Sequence, residues 1–289
     1  MLNVGLLLSC FASAANAGEA IDKTLAVKAD GLVRIDNVRG HIEVQGWERS
    51  DVTVKGTLDD LAESFTFETS GSTTTVKVHT PENLNRGKGS DLVIHVPSAS
   101  RVRVELVSAD LTMQALHGGV DGRTVSGEID ARDLSGAIVI RSVSGGISVN
   151  GAAGPVTFNS VSGAIVAQTD AEQLKITTVS GNAEVRSGAR LKELTLESIS
   201  GNLDVNSDLA DGAQVKGSTT SGYIRLTMNP DVGAVVDLRT TSSGIKNQLS
   251  SDRPTHEMSG GGELDATIGN GSGLIELRSI SGRLELLAR

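Results

Sequence analysis

Apolar and polar positions alternate along most of this chain, and glycine resets the alternation at a fixed interval. Gly118, Gly127, Gly136, Gly145, Gly154 and Gly163 stand nine residues apart, Glu172 interrupts the series once, and Gly181 resumes it. Counting from each glycine, apolar residues recur at minus two, plus two and plus four. They are Val125, Ile129 and Ala131 around Gly127, Leu134, Ile138 and Ile140 around Gly136, Val143, Ile147 and Val149 around Gly145, and Val161, Ile165 and Ala167 around Gly163. Side chains two apart share one face of an extended chain. The positions between are polar: Glu128, Asp130 and Arg132 in one unit, Asn182, Glu184 and Arg186 in another. The pattern predicts half-buried strands of about five residues joined by corners. The corner glycine usually follows serine, as in Ser126-Gly127, Ser144-Gly145, Ser162-Gly163 and Ser180-Gly181. Glycine is expected there for its tolerance of positive φ, and serine for bonding its hydroxyl to nearby backbone.

A stronger motif returns every second unit: Thr124-Val125-Ser126-Gly127, Ser142-Val143-Ser144-Gly145, Ser160-Val161-Ser162-Gly163. Its serines fall at 108, 126, 144, 162 and 180, then loosen through Ser200, Ser221 and Ser243 and close at Ser281. One strand-and-corner unit cannot bury its apolar face alone, but stacked units can. The spacing predicts an all-β fold, a parallel β-helix (β-solenoid) with about 18–22 residues per coil. Coils stacked at about 4.8 Å make a rod of roughly 60 Å from about twelve coils. The extra residues beyond position 190 predict longer corner loops on one side. A left-handed hexapeptide helix would need an apolar residue every six, yet that phase from Val143 and Val149 runs through Pro155 and on to Gln173. A calcium-binding nonapeptide roll would need an aspartate series, where these corners read Val-Ser-Gly.

Length and composition narrow the classes. The chain has 289 residues, 34 glycines, and only 4 Phe, 1 Trp and 1 Tyr, which suits a narrow core of aliphatic side chains. A net charge of −9 argues against nucleic acid as partner and reads first as solubility. Residues 2–17 form a short apolar run ending in Ala15-Asn16-Ala17, the pattern of a signal peptide cut after Ala17. The run is too short to span a membrane in the mature chain. The lone cysteine, Cys10, follows Leu7-Leu8-Ser9 in a loose lipoprotein box, an alternative anchor.

Residues 18–289 read as a single β-solenoid domain, with irregular N-terminal coils or a cap over 26–100 and regular repeats over 101–289. Val38-Arg39-Gly40-His41-Ile42 is a degenerate copy of the repeat. Leu58–Phe67 starts like a helix, although Phe65 and Phe67 alternate like a strand. Residues 73–79 and 91–96 read as strands flanking a polar loop, Pro81–Ser90. Asn247–Gly262 is the longest insert, and Gly282–Leu287 closes on a strand, as if completing the last coil.

Three stretches together carry a family resemblance: Gly40–Val52 (Gly-His-Ile-Glu-Val-Gln-Gly-Trp-Glu-Arg-Ser-Asp-Val), the Val-Ser-Gly-x-Ile repeats, and the closing Gly271–Gly282. The chain resembles the DUF4097 β-strand-repeat family of exported bacterial proteins, often given an adhesin label. The resemblance covers nearly all of the mature chain and implies a single right-handed parallel β-helix. It implies no catalytic residues, and the adhesin label is itself an analogy from architecture.

Candidate chemistry is sparse. His41, His79, His95, His117 and His256 show no metal-ligand spacing, so no metal site, cofactor or catalytic residue is expected. The Ser-Gly doublets are corners, not nucleophile elbows. Asp130, Glu184 and Asp204 fall at outward positions, with Glu184 and Asp204 on adjacent coils. Arg132 and Arg186 are placed to balance them. Asn150, Gln168, Arg186 and Asn206 are expected to stack from coil to coil. Trp47 reads as a cap over the first coil or, alternatively, a sugar platform. The expected function is a non-enzymatic, exported, adhesin-like binding module of the periplasm, outer envelope or cell surface. Its partner would be an envelope glycan or protein, met along the sheet or through Asn247–Gly262. A polysaccharide-active β-helix enzyme and a structural spacer are the alternatives.

Overall fold

The computed structural model describes residues 18–81, 87–256 and 260–289. The signal-like segment with Cys10 lies outside them, as do parts of Pro81–Ser90 and Asn247–Gly262. The described residues contain no helix; Leu58–Phe67 is a turn closed by Ala62 N donating to Asp59 O, followed by a strand.

The N-terminal strands are β1 (Ala20–Ala26), β2 (Leu32–Trp47), β3 (Asp51–Thr57), β4 (Ser64–Ser70), β5 (Thr73–His79) and β6 (Ser90–Pro97). The middle of the rod comprises β7 (Arg101–Leu116), β8 (Val120–Thr124), β9 (Ile129–Ser135), β10 (Ile138–Ser142), β11 (Ile147–Ser160), β12 (Ile165–Thr178), β13 (Ala183–Ser187), β14 (Leu191–Ser198), β15 (Leu203–Asn206), β16 (Leu209–Thr219) and β17 (Ile224–Met228). Last come β18 (Ala234–Thr240), β19 (Ile245–Asn247), β20 (Thr255–His256), β21 (Gly262–Ile268), β22 (Gly273–Ser279) and β23 (Leu284–Ala288).

Two parallel ladders face each other across the core, as the period predicts. One runs β5-β2-β7-β8-β10-β11-β12-β14-β16-β22-β18. The other runs β6-β2-β7-β9-β11-β12-β13-β15-β17-β23-β19. The long strands β2, β7, β11 and β12 bend and serve both. The plus-two and plus-four side chains interleave between the ladders: Ile129, Ile147 and Ile165 are each at most 2% exposed.

The two corners of the coil behave differently. The step from Thr124 to Ile129 recurs unchanged at Ser142–Ile147, Thr178–Ala183, Thr219–Ile224 and Ser279–Leu284. All the added length enters at the opposite corner, between β13 and β14, β15 and β16, and β17 and β18. That is the one-sided loosening expected past residue 190.

At the invariant corner the glycines are needed for a reason other than φ. Gly127, Gly145, Gly163 and Gly181 do not adopt positive φ. Instead, a Cβ on Gly145 would collide with the Gly127 carbonyl oxygen, and one on Gly163 with that of Gly145. Only glycine lets successive coils approach this closely. The left-handed conformation belongs to the other corner, at Gly136 (φ 87°) and Gly154 (φ 104°). The hydroxyls divide the work. Ser142 and Ser160 donate within their own turn, to Gly145 O and Gly163 O at 2.6 Å. Ser180, Ser200 and Ser221 donate to the preceding coil, at Val161 O, Val179 O and Ile199 O.

Chain order and spatial order part company at both ends. β2 lies between β5 and β7, so the chain steps over its own first coil on entering β7. β22 and β23 lie between β16/β17 and β18/β19, so the final coil is an interior one. The expected regular run to the C-terminus therefore ends at Met228. Antiparallel strands close three of the four ladder ends among the described residues: β4 on β5, β3 and β1 beyond β6, and β21 with β20 beyond β18. They cover parallel edges that would otherwise template further strands.

Candidate functional site

At the invariant corner the minus-two residues of the repeat are not core. The invariant corner turns them outward, and they stack into an exposed apolar ridge along the rod: Val107 (44% exposed), Val125 (43%), Val143 (42%), Val161 (41%), Val179 (39%) and Ile199 (54%). Ser144 N donates to Val125 O, Ser162 N to Val143 O, and Ser180 N to Val161 O, each at 2.8 Å, so the ridge backbone is engaged between coils. The ridge continues through Thr220, Ile280 and Thr241, because the intercalated β22 keeps corner above corner. Only the minus-two valine of every second unit behaves this way; Leu134, at minus two from Gly136, is buried at 2% exposure.

Beside the ridge runs a groove. From Asn37 and Val38 to Val179 it encloses about 750 Å³, with Thr124, Ser142 and Ser160 as its floor. Those hydroxyl residues are 4% exposed. The wall opposite the valines is formed by the last outward side chains of the first ladder: Lys77, Asp36, Glu105, Arg123, Arg141, Asn159 and Thr177. Burial pushes the Asp36 carboxyl up, against the opposing pull of Lys77. Next along the wall, Arg103, Arg123 and Arg141 surround a single carboxylate, Asp121, at 3.5, 3.8 and 2.6 Å. The middle of the wall therefore carries surplus positive charge, while the end holding Asp36, Glu105 and Lys77 is acidic on balance.

The same groove continues past Ser198 as a second concavity of about 500 Å³, where Thr220 and Thr241 flank Ile280 on the ridge. Its arginines are engaged by acids. Arg278 holds Asp237 at 2.5 Å, and Arg239 pairs with Asp237, Asp265 and Glu263. The hydrogen bond from Arg278 holds the Asp237 carboxyl below its usual range.

The outward carboxylates of the second ladder share one row, as expected. Glu184 lies opposite Asp204, and Asp130 lies opposite Ser148 in the same row. Each is held by arginine: Asp130 by Arg132 at 3.3 Å, Glu184 by Arg186 at 3.0 Å, and Asp204 by Arg225 at 3.0 Å. Arg225, which sequence reasoning did not pick out, also binds Glu285 at 2.7 Å. Burial pushes the Glu285 carboxyl up, but the hydrogen bond and charge of Arg225 outweigh this and leave it lowered. Asn150, Gln168, Arg186 and Asn206 occupy matched rungs, confirming their stack. Arg289, from the last coil, reaches Asn206 Oδ1 at 2.6 Å.

Trp47 is half-buried at the end of β2. Its ring stacks on His95 with centroids 4.8 Å apart, Arg49 lies over it at 4.4 Å, and its Nε1 donates to Asp51 O at 2.9 Å. Because β2 lies between β6 and β7, the ring sits on the outer side of an interior coil: it does not cap the first coil as expected, and with those partners it is not a bare platform. His79 bonds Thr66 at 2.9 Å, and His117 meets Asp133 at 3.4 Å. The side chain of His256 lies outside the described residues. Among the described residues no three His, Cys, Asp or Glu come together as a metal-ligand set, and no helix is long and apolar enough to cross a membrane.

Among curated proteins nothing matches this chain. A protein of Parabacteroides merdae described as a "putative adhesin" aligns over 94% of this chain and 98% of its own, at 9% identity and a TM-score of 0.46. One from Bacteroides fragilis with the same description aligns over 93% and 97%, at 10% identity and a TM-score of 0.42. These likenesses are too distant to carry a function across. The family profile described as Toastrack DUF4097 matches residues 33–286. With that span of strands and corners accounted for, the chain belongs to the DUF4097 Toastrack family.

Proposed function

We propose that the protein is a non-enzymatic, exported β-solenoid that acts as a binding module of the cell envelope or surface, adhesin-like in that limited sense. The observation that carries the reading is the valine ridge with its adjoining groove. Scattered surface valines are ordinary, but a contiguous apolar strip beside a groove marks a contact site. The reading takes residues 18–289 as one solenoid unit behind a cleaved leader, residues 1–17. The polysaccharide-active enzyme is disfavoured by Asp130, Glu184 and Asp204, each tied to an arginine rather than facing a partner acid across a cleft.

The test is a glycan and envelope-component array probed with the purified protein and with Val143→Ser/Val161→Ser, with product analysis of every hit. Binding without turnover that the double substitution abolishes supports the module. Turnover of any glycan overturns it. Binding that the substitution leaves intact moves the contact elsewhere, for instance to Asn247–Gly262. Silence, with self-association in light scattering, would favour a structural spacer.

A further inference from the structure

The groove's two walls differ in chemistry, and that difference specifies a ligand. Val143, Val161 and Val179 offer hydrocarbon along one wall. Opposite, Arg123 and Arg141 sit on neighbouring rungs with only Asp121 between three guanidinium groups. Beyond them in the direction of Val179 the wall is neutral, at Asn159 and Thr177, whereas the other direction meets the Glu105 carboxylate first and then Asp36 with Lys77 beside it. Glu105, on the rung next to Arg123, repels an anion seated on the arginines and leaves the neutral side for the rest of the molecule.

The ridge backbone excludes a competing occupant. Its amides are committed between coils: Val143 N donates to Thr124 O, and Ser162 N to Val143 O. A peptide laid along the rod would cross the strands at right angles and meet the amides of Val125, Val143, Val161 and Val179 already donating to the neighbouring coil. Its own backbone groups would lose water without replacement. A hydrocarbon chain has no such groups to satisfy. From Arg123 to Thr177 the wall spans three rungs, about 14 Å at the ladder spacing. One acyl chain spans half of a bilayer's roughly 30 Å hydrocarbon core, about 15 Å. The 750 Å³ of the groove is of the size that holds a small ligand.

Resting on the binding-module reading, we propose that the groove takes up a single-chain anionic amphiphile of the fatty-acid type. Its acidic head sits on Arg123 and Arg141, and its hydrocarbon chain lies along Val143, Val161 and Val179. The molecule is bound singly, from solution, not as part of a bilayer surface.

The experiment titrates the purified protein with palmitate below its aggregation limit and with hexadecanol as the uncharged control, by calorimetry. The expected result is saturable one-to-one binding of palmitate. Val143→Ser/Val161→Ser should weaken it about tenfold or more, because the substituted residues line the chain's path. Arg123→Gln/Arg141→Gln should weaken palmitate several-fold and leave hexadecanol unchanged. These positions are surface-exposed, and thermal melts close to that of the parent protein check that the variants are folded. No binding of palmitate overturns the proposal, as does binding indifferent to both double substitutions. Attachment only to phosphatidylglycerol vesicles overturns it in favour of a membrane surface. A concentration-dependent dimer lost on substituting the valines overturns it in favour of a second copy of this chain. If palmitate fails while an array glycan or envelope protein still binds in a ridge-dependent way, the ligand assignment falls and the binding module stands. If nothing binds through the ridge, both fall.

Discussion

The middle of the rod and its two ends solve the same packing problem by opposite means. Between β7 and β17 each coil lies on the one before it in sequence, and register is copied eighteen to twenty-one residues at a time. At the ends the chain steps over a coil, buries its first and last full coils inside the stack, and covers three of the four ladder ends with antiparallel strands. A repeat that templates its neighbour has no intrinsic stop, since its last strand presents the same hydrogen-bonding edge as all the others. Repeat proteins need caps for that reason. Here the caps are made from the ends of the same ladders, reversed.

Truncation should show the difference between middle and ends most severely. Deleting residues 273–289 removes an interior coil rather than a tail, and with it Ile275, Leu277, Leu284 and Leu286, all 0% exposed. Single large-to-small changes at such sites cost about 2–5 kcal/mol each, so the C-terminal cap should not fold. Limited proteolysis should cut throughout 229–272. A protease-resistant, truncated rod would show that the intercalation is incidental.

Glycine substitutions probe the middle against the end. Gly145→Ala drives a Cβ into backbone that cannot yield, and should cost on the order of 4 kcal/mol. Gly244→Ala, at the outermost coil with nothing within 4 Å of its Cβ, should stay within about 0.5 kcal/mol of the parent. Equal melting temperatures for the two variants would refute the close-approach explanation.

The N-terminal cap holds a buried ion pair. Asp59, with its side chain 1% exposed, is paired with Arg39 and also accepts from Leu61 N at 2.8 Å. Arg39→Ala strands that carboxylate and should cost about 3 kcal/mol. The hydrogen bond from Arg39 lowers the Asp59 pKa from its ordinary 3.8, although burial opposes this. Its stabilisation is therefore complete above the unfolded value and is lost as pH falls through the folded one. Melting midpoints followed from pH 6 downward should drop on the acid side. The acid slope should be shallower once Arg39 is replaced.

The smallest effect is expected at the ridge. Val161→Ser, at a position 41% exposed, should shift stability by no more than about 0.5 kcal/mol. A much larger loss in thermal melts would mean that the ridge serves packing and not contact.

The two-ladder rod was readable from the chain because a period of nine with alternation inside it admits few other architectures. The strands at 73–79 and 91–96, the carboxylate row and the amide stack were legible for the same reason: in a solenoid, register follows from counting. The ridge was half legible. The minus-two valines stood out in the pattern, but nothing in it said which way they face, and only the corner's turn put them in solvent. Arg225 was invisible as a partner of Asp204 because the coil between them had lengthened, so that simple counting lost step.

By itself, the sequence determined the coil: which side chains face inward, where corners fall, and that one corner stays constant while the other grows. Those are local consequences of alternation, glycine and hydroxyl chemistry. The tertiary structure decided the order of the coils at the ends, the reason for glycine at the invariant corner, and the alignment of distant valines beside clustered arginines. Those depend on which backbone lies against which. Identical parallel edges make every coil an acceptable neighbour for every other, and the local pattern carries no information about which one is chosen.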